Sequence, residues 1–174
     1  MTHTLMPDAQ APALSLPLVG GGTWTLADQT PNSFTMIVIY RGLHCPVCKT
    51  YLGKLAGMMD AAKSFGLNVV VASMDGADRA AEAKADWGLG DLPVAYDLSV
   101  DDVKNWGLYL STSIKDAEPG QFAEPGLFWV RSDGRLYLID IANMPFARPD
   151  LEILLPKAKM AMDNNYPARG TTAV

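Results

Sequence analysis

Basic charge, histidine, cysteine and long apolar runs are all scarce in this chain. The 174 residues carry 14 Lys and Arg against 19 Asp and Glu, a formal net charge of −5. That balance argues against nucleic acid or an anionic membrane surface as the main partner. No apolar stretch reaches the ~20 residues of a membrane span. Residues 1–17 have neither a basic leading segment nor an apolar core of about 7–15 residues, so they do not read as a secretory signal. A reducing, cytoplasmic setting is therefore expected, where a cysteine pair is more often catalytic or metal-binding than structural. The chain has 2 histidines and 2 cysteines. Structural zinc wants four ligands, usually from two cysteine pairs. Only His3 and His44 could add nitrogens and neither spacing suits, so neither a metal nor any other cofactor is expected.

The two cysteines that are there stand three apart, in Cys45-Pro46-Val47-Cys48. They follow the apolar run Thr35-Met36-Ile37-Val38-Ile39-Tyr40 and open a long helical pattern. Strand, C-x-x-C, helix is the setting in which this spacing reads as a dithiol/disulfide centre. Residues i and i+3 on a first helical turn have Cα atoms about 5 Å apart, a separation a disulfide tolerates. The free N–H groups and positive dipole end of a helix N-terminus favour thiolate over thiol.

With 49% hydrophobic and 19% charged residues the composition is that of a globular chain. Its length suits one domain over 1–174, with a loose arm at 1–13 and an extended tail at 166–174. Leu14–Val19 and Thr23–Leu26, joined by Gly20-Gly21-Gly22, read as an N-terminal hairpin. Phe34–Tyr40 and Leu67–Ala72 are strands buried on both faces. Between them the spacing predicts one helix from Pro46 to Phe65, with Gly66 as its C-cap. Right-handed crossover makes these elements one βαβ unit. Further helices are expected over Ala77–Trp87, Val100–Trp106 and from Pro149-Asp150 to about Asn164, the last bending near Pro156. Pro93–Tyr96, Leu127–Val130 and Leu136–Ile141 are strand candidates, the last two joined through Ser132-Asp133-Gly134. Ser111–Glu124 lacks periodicity and reads as the longest loop.

This order of elements is similar to that of the thioredoxin fold. The segment Arg41-Gly42-Leu43-His44-Cys45-Pro46-Val47-Cys48-Lys49-Thr50-Tyr51-Leu52 resembles the R-G-x-x-C-P-x-C-x-x-x-L stretch of peroxiredoxin-like proteins in the AhpC/TSA group. Asp97-Leu98-Ser99 with Asn105-Trp106-Gly107-Leu108, and Glu124-Pro125-Gly126-Leu127-Phe128-Trp129-Val130 with Asp133-Gly134, resemble further segments of the group. The resemblance implies an α/β thioredoxin-like fold, with a central mixed sheet flanked by helices and an N-terminal β-hairpin extension. It implies Cys45 as the attacking thiol and Cys48 as its partner. It also places Pro125 where this fold keeps a cis-proline, holding the Glu124 backbone beside the sulfur for an incoming peptide. A homodimer is compatible with it. Two departures stand out. Peroxiredoxins carry P-x-x-x-T/S-x-x-C, but Val38 and Gly42 occupy the proline and hydroxyl positions. Thioredoxins carry a buried aspartate six residues before the first cysteine, where this chain has Ile39.

The function so implied is thiol-dependent redox chemistry. Cys45 attacks a disulfide or peroxide, Cys48 resolves the product to an internal disulfide, and a thioredoxin- or glutathione-type reductant resets the pair. The alternatives are a two-cysteine peroxidase and a non-enzymatic redox sensor or binding module. Several residues are candidates for tuning Cys45. His44 would act as an imidazolium or else be a solvated loop residue. Arg41 would stabilise the thiolate or form an ion pair at the strand end. Glu124 would accept a proton or be a surface carboxylate. Lys49 reads as a solvated helix residue. Phe146 and Arg148, after the last hairpin, would line a substrate groove. Otherwise Phe146 plugs the core edge and Arg148 pairs with the acidic start of the final helix.

Overall fold

The computed structural model describes residues 5–173. His3 and the rest of 1–4, and Val174, lie outside the described residues. The centre is a five-stranded mixed sheet in the order β5-β4-β3-β8-β9. Its strands are β3 (Thr35–Ile39), β4 (Asn68–Ala72), β5 (Val94–Ala95), β8 (Gly126–Val130) and β9 (Leu136–Ile141). β3 and β4 are parallel neighbours, while β8 runs antiparallel to β3 and to β9.

Every residue of β3 and β8 is buried, and the period of two sorts their side chains into two cores. Met36, Val38, Val69, Val71, Leu127 and Trp129 face one cluster, which α1 (Pro46–Gly57), α2 (Met59–Ser64), α3 (Ala77–Asp86), α5 (Leu151–Leu154) and α6 (Pro156–Asp163) help to build. Ile37, Ile39, Val70, Ala72, Phe128 and Val130 face the other, under α4 (Val100–Asn105) and the hairpin of β1 (Ser15–Pro17) and β2 (Thr23–Thr25). Ser99 and Asp102 form a reciprocal capping box that starts α4, worth about 1 kcal/mol.

Four sequence expectations need correction. The helix expected over Pro46–Phe65 is two helices. At Met58 the backbone leaves helical geometry, and its N–H bonds the Leu55 carbonyl three residues back. Gly57, whose backbone freedom makes it a weak helix former, is the last residue of α1. Gly66 does terminate α2, with φ +80. The segment Ser111–Glu124 is not a loop throughout. It contains the antiparallel pair β6 (Leu110–Thr112) and β7 (Gln121–Ala123). The arm over residues 5–13 is not loose. Asp8 N–H donates to the Leu136 carbonyl and Ala11 N–H to that of Gly134, Leu136 N–H donates back to Ala9, and Arg131 pairs with Asp8 at 2.9 Å. Finally, no peptide bond among the described residues is cis, so the bond before Pro125 is trans. No described helix is long and apolar enough to cross a membrane.

Candidate active site

The C-terminal ends of β3 and β4 and the N-terminus of α1 meet at the two cysteines. The region beyond the carboxyl ends of parallel strands is where α/β sheets collect ligands. Cys45 is the N-cap of α1, and its Sγ accepts the Cys48 N–H at 3.2 Å. Both cysteines are free thiols, 1% and 0% exposed. Lys49, one helical turn on from Cys45, is exposed.

The two sulfurs have opposite acid strengths. Cys45 is pulled down to about 6, first by the Cys48 thiol as proton donor, then, against burial, by the Cys48 amide and the Arg41 and Arg148 cations. Cys48 is pushed far up, first by burial and then by its proton-sharing with Cys45. At neutral pH the pair is thus a Cys45 thiolate beside a Cys48 thiol.

Arg41 sits between this thiolate and the β6–β7 hairpin. Its Nε lies 3.1 Å from Glu124 Oε2, Nη2 lies 4.0 Å from Glu118 Oε1, and the guanidinium stacks 4.8 Å from the Phe122 ring centroid. Burial disfavours its charge, but Glu124 and Cys45 outweigh burial and its pKa rises. Glu124 is 4% exposed, and its Oε1 accepts the Ser111 hydroxyl at 2.7 Å. It is therefore not a surface carboxylate: Oε1 takes the Ser111 hydroxyl, and Oε2 forms the ion pair with Arg41. Its N–H donates to the Tyr109 carbonyl at 2.8 Å and is not open to an incoming peptide. Pro125 is buried between the hairpin and β8, and its carbonyl accepts Ala142 N–H at 3.0 Å.

His44 is not the activating imidazolium. Burial first and the Arg41 cation second lower its pKa, so the ring is neutral at pH 7. It packs at 4.7 Å on Phe122, with both ring nitrogens buried and unbonded.

Arg148 does not pair with the start of α5; Asp150 and Glu152 there pair with Lys54. Its Nη2 instead donates to Cys48 Sγ at 3.1 Å. Phe146 is 70% exposed and plugs nothing. It lines an open groove of about 490 Å³ together with Val47, Tyr51, Lys54 and Arg148.

Sequence reasoning missed Asp75 and read Gly42 only as the want of a hydroxyl. Buried Asp75 accepts the Leu43 N–H at 2.7 Å and Arg79 Nε at 3.1 Å, fixing the loop that leads into Cys45. Its place just beyond a parallel strand was the available signal. Gly42 has φ +135, and a Cβ there would lie 2.9 Å from both Asp75 carboxylate oxygens. Ser111, Glu118 and Phe122 had no such signal, because they reach the site only through the hairpin.

Comparison with known proteins agrees with this architecture. The AhpC/TSA family model matches residues 7–139, well over half of the 174 residues, and the chain belongs to that family. Its general chemistry is therefore that of a thiol-redox family. The fold is similar to a peroxiredoxin-like protein from Aquifex aeolicus, at 17% identity and a TM-score of 0.74, covering 91% of this chain and 90% of that one. It is similar to a cysteine-to-serine mutant of peroxiredoxin 6 from Arenicola marina, at 14% identity and 0.76, covering 94% and 76%. It is also similar to a candidate thiol:disulfide interchange protein DsbE from Chlorobium tepidum, at 21% identity and 0.67, covering 90% and 99%. Identities this low carry the fold alone. No curated protein sequence matches the chain.

Proposed function

We propose that this protein is a dithiol/disulfide redox enzyme in which Cys45 attacks and Cys48 resolves. The observation that carries the reading is Cys45 Sγ at the N-cap of α1, accepting the amide of Cys48 and held as an anion at neutral pH. A thiolate is the competent nucleophile, and a partner one turn on is in reach to close the disulfide. Arg41 supports the anion, and Glu124 with Glu118 positions Arg41. A thioredoxin- or glutathione-type thiol then returns the pair to the dithiol.

One observation favours a hydroperoxide as the electrophile. Cys45 is buried in the reduced protein, and a small oxidant reaches such a sulfur where the disulfide of a folded protein does not. Against it, Gly42 offers no hydroxyl to orient a peroxide. Stopped-flow mixing of the reduced protein with hydrogen peroxide and with a small synthetic disulfide decides between them. The internal Cys45–Cys48 disulfide is the expected product of both. A peroxide rate no greater than that of a free thiol removes the peroxidase reading. A fast peroxide reaction with an inert disulfide removes the oxidoreductase reading. Inertness to both removes enzymatic turnover and leaves a redox sensor.

A further inference from the structure

The loop between β9 and α5 brings a second guanidinium to the dithiol, and it touches the other sulfur. Arg148 Nη2 donates to Cys48 Sγ at 3.1 Å. Arg148 Nη1 donates to the Pro145 carbonyl of the same loop. The guanidinium carbon lies 5.1 Å from the centroid of Tyr51 on α1, and the Tyr51 hydroxyl donates to the Pro149 carbonyl at 2.7 Å. Tyr51 thus supports the guanidinium with its face and pins the loop with its hydroxyl. Asp150 and Glu152, the acidic groups nearest in sequence, are turned to Lys54. The result is a fixed cation on a fully buried sulfur.

In the resting enzyme that cation does not ionise Cys48. The titratable and charged groups around this thiol are Cys45 at the helix N-cap, Tyr40 from the end of β3, Arg148 and, beneath Arg148, Tyr51. Burial keeps both phenols neutral. Cys45, as an anion, opposes a second negative charge. Once Cys45 has taken an electrophile its charge is gone, and so is its claim on the Cys48 proton. Arg148 is then the charged side chain left on Cys48, and a contact that favours the thiolate.

Building on the two-cysteine cycle, we propose that Arg148 is the catalytic residue of the resolving step, stabilising the Cys48 anion as it attacks oxidised Cys45. When Cys45 is a sulfenic acid, Cys48 loses its proton and its sulfur attacks Cys45 Sγ. The S–S bond forms as the S–O bond breaks, and the hydroxyl leaves with a proton as water. The hydroperoxide that oxidised Cys45 has already taken the two electrons. When Cys45 is in a mixed disulfide, the same attack expels the other thiolate, which carries off the electron pair and takes up a proton. Arg41 serves Cys45, and Arg148, whose guanidinium touches Cys48, serves the second sulfur as well as lending charge to the first.

The test is a single-turnover quench experiment on Arg148→Gln and Arg148→Met. Oxidation of Cys45 by hydrogen peroxide or a small disulfide, and closure of the Cys45–Cys48 bond, are followed separately by mass spectrometry. The first step is expected to slow less than closure does, because Arg148 lowers the Cys45 pKa less than the Cys48 donors and Arg41, which remain. Closure at pH 7 is expected to slow about ten-fold and to recover as pH is raised, the equivalent of one pKa unit on Cys48. Arg148→Lys, which keeps the charge, should restore most of the rate. Unchanged closure overturns the proposal. So does a lysine variant no better than glutamine, since packing rather than charge would then be at work. A second measurement needs no electrophile. In Cys45→Ser protein, with Cys48 as the sole thiol, the ultraviolet thiolate titration should move to higher pH when Arg148→Gln is added, and equal midpoints overturn the proposal. A Cys48 midpoint that responds to Arg148, in a protein whose wild type forms no disulfide with either electrophile, would sink the cycle while leaving the local effect of Arg148 intact.

Discussion

Cys45→Ser protein is expected to show no turnover with peroxide or disulfide, a loss on the order of a thousand-fold or more. A serine hydroxyl stays protonated at a pH where this thiol is ionised, and an alcohol is a far weaker nucleophile than a thiolate. Cys48→Ser should behave differently. It retains the amide and a side-chain donor beside Cys45, so the first step survives. It then stops, with a mixed disulfide or a persistent sulfenic acid that a sulfenate-specific dione captures. Cys48→Ala separates the two duties of this residue. It also removes the proton donor that does most to lower the Cys45 pKa, so alkylation of Cys45 at pH 6 should fall several-fold below that of the serine variant. Normal turnover by Cys48→Ser in the absence of a monothiol reductant would contradict the resolving role.

Gly42→Thr is expected to destabilise the protein by about 3 kcal/mol and to gain no peroxidase activity. Peroxiredoxins carry their threonine or serine at this position, so the substitution looks like a restoration. The backbone forbids it. At φ +135 a side chain is strained wherever it points, and the new Cβ would press on both oxygens of Asp75 at 2.9 Å. If Asp75 moves, the Leu43 N–H and Arg79 lose their acceptor, and the loop that presents Cys45 loses its anchor. Urea unfolding reads the first effect and Cys45 alkylation the second. An unchanged unfolding midpoint would mean that the loop tolerates a side chain at 42.

Those residues also mark where the sequence stops being legible. β3 and β4 could be read because a strand buried on both faces is apolar at every position, whatever its neighbours. The dithiol could be read because its two members are one helical turn apart, and the geometry is local. The β6–β7 hairpin could not. Its strands are three residues each, and it is held to the site by Arg41 against Glu124 and Glu118 and by Ser111 against Glu124, with no alternating apolar pattern. The order of the arm over 5–13 is hidden for the same reason, since its ties to Gly134 and Leu136 are backbone bonds that leave no trace in composition. His44 beside Cys45 suggested a cation. Whether a histidine carries charge depends on burial and on Arg41, and spacing reports neither. Arg148 stands out in the sequence, but its target is 100 residues away. The choice between α5 and Cys48 is made by how Tyr51 holds the loop.

The pH dependence of Cys45 alkylation in the wild-type reduced protein, resolved from Cys48 by peptide mass spectrometry, bears most directly on the whole scheme. Modification should follow a single titration with its midpoint at about 6, leaving Cys45 almost fully reactive at neutral pH while Cys48 stays unmodified. A midpoint near the ~8.5 of an ordinary cysteine, or Cys48 reacting first, would contradict an activated Cys45 and with it the proposed order of attack.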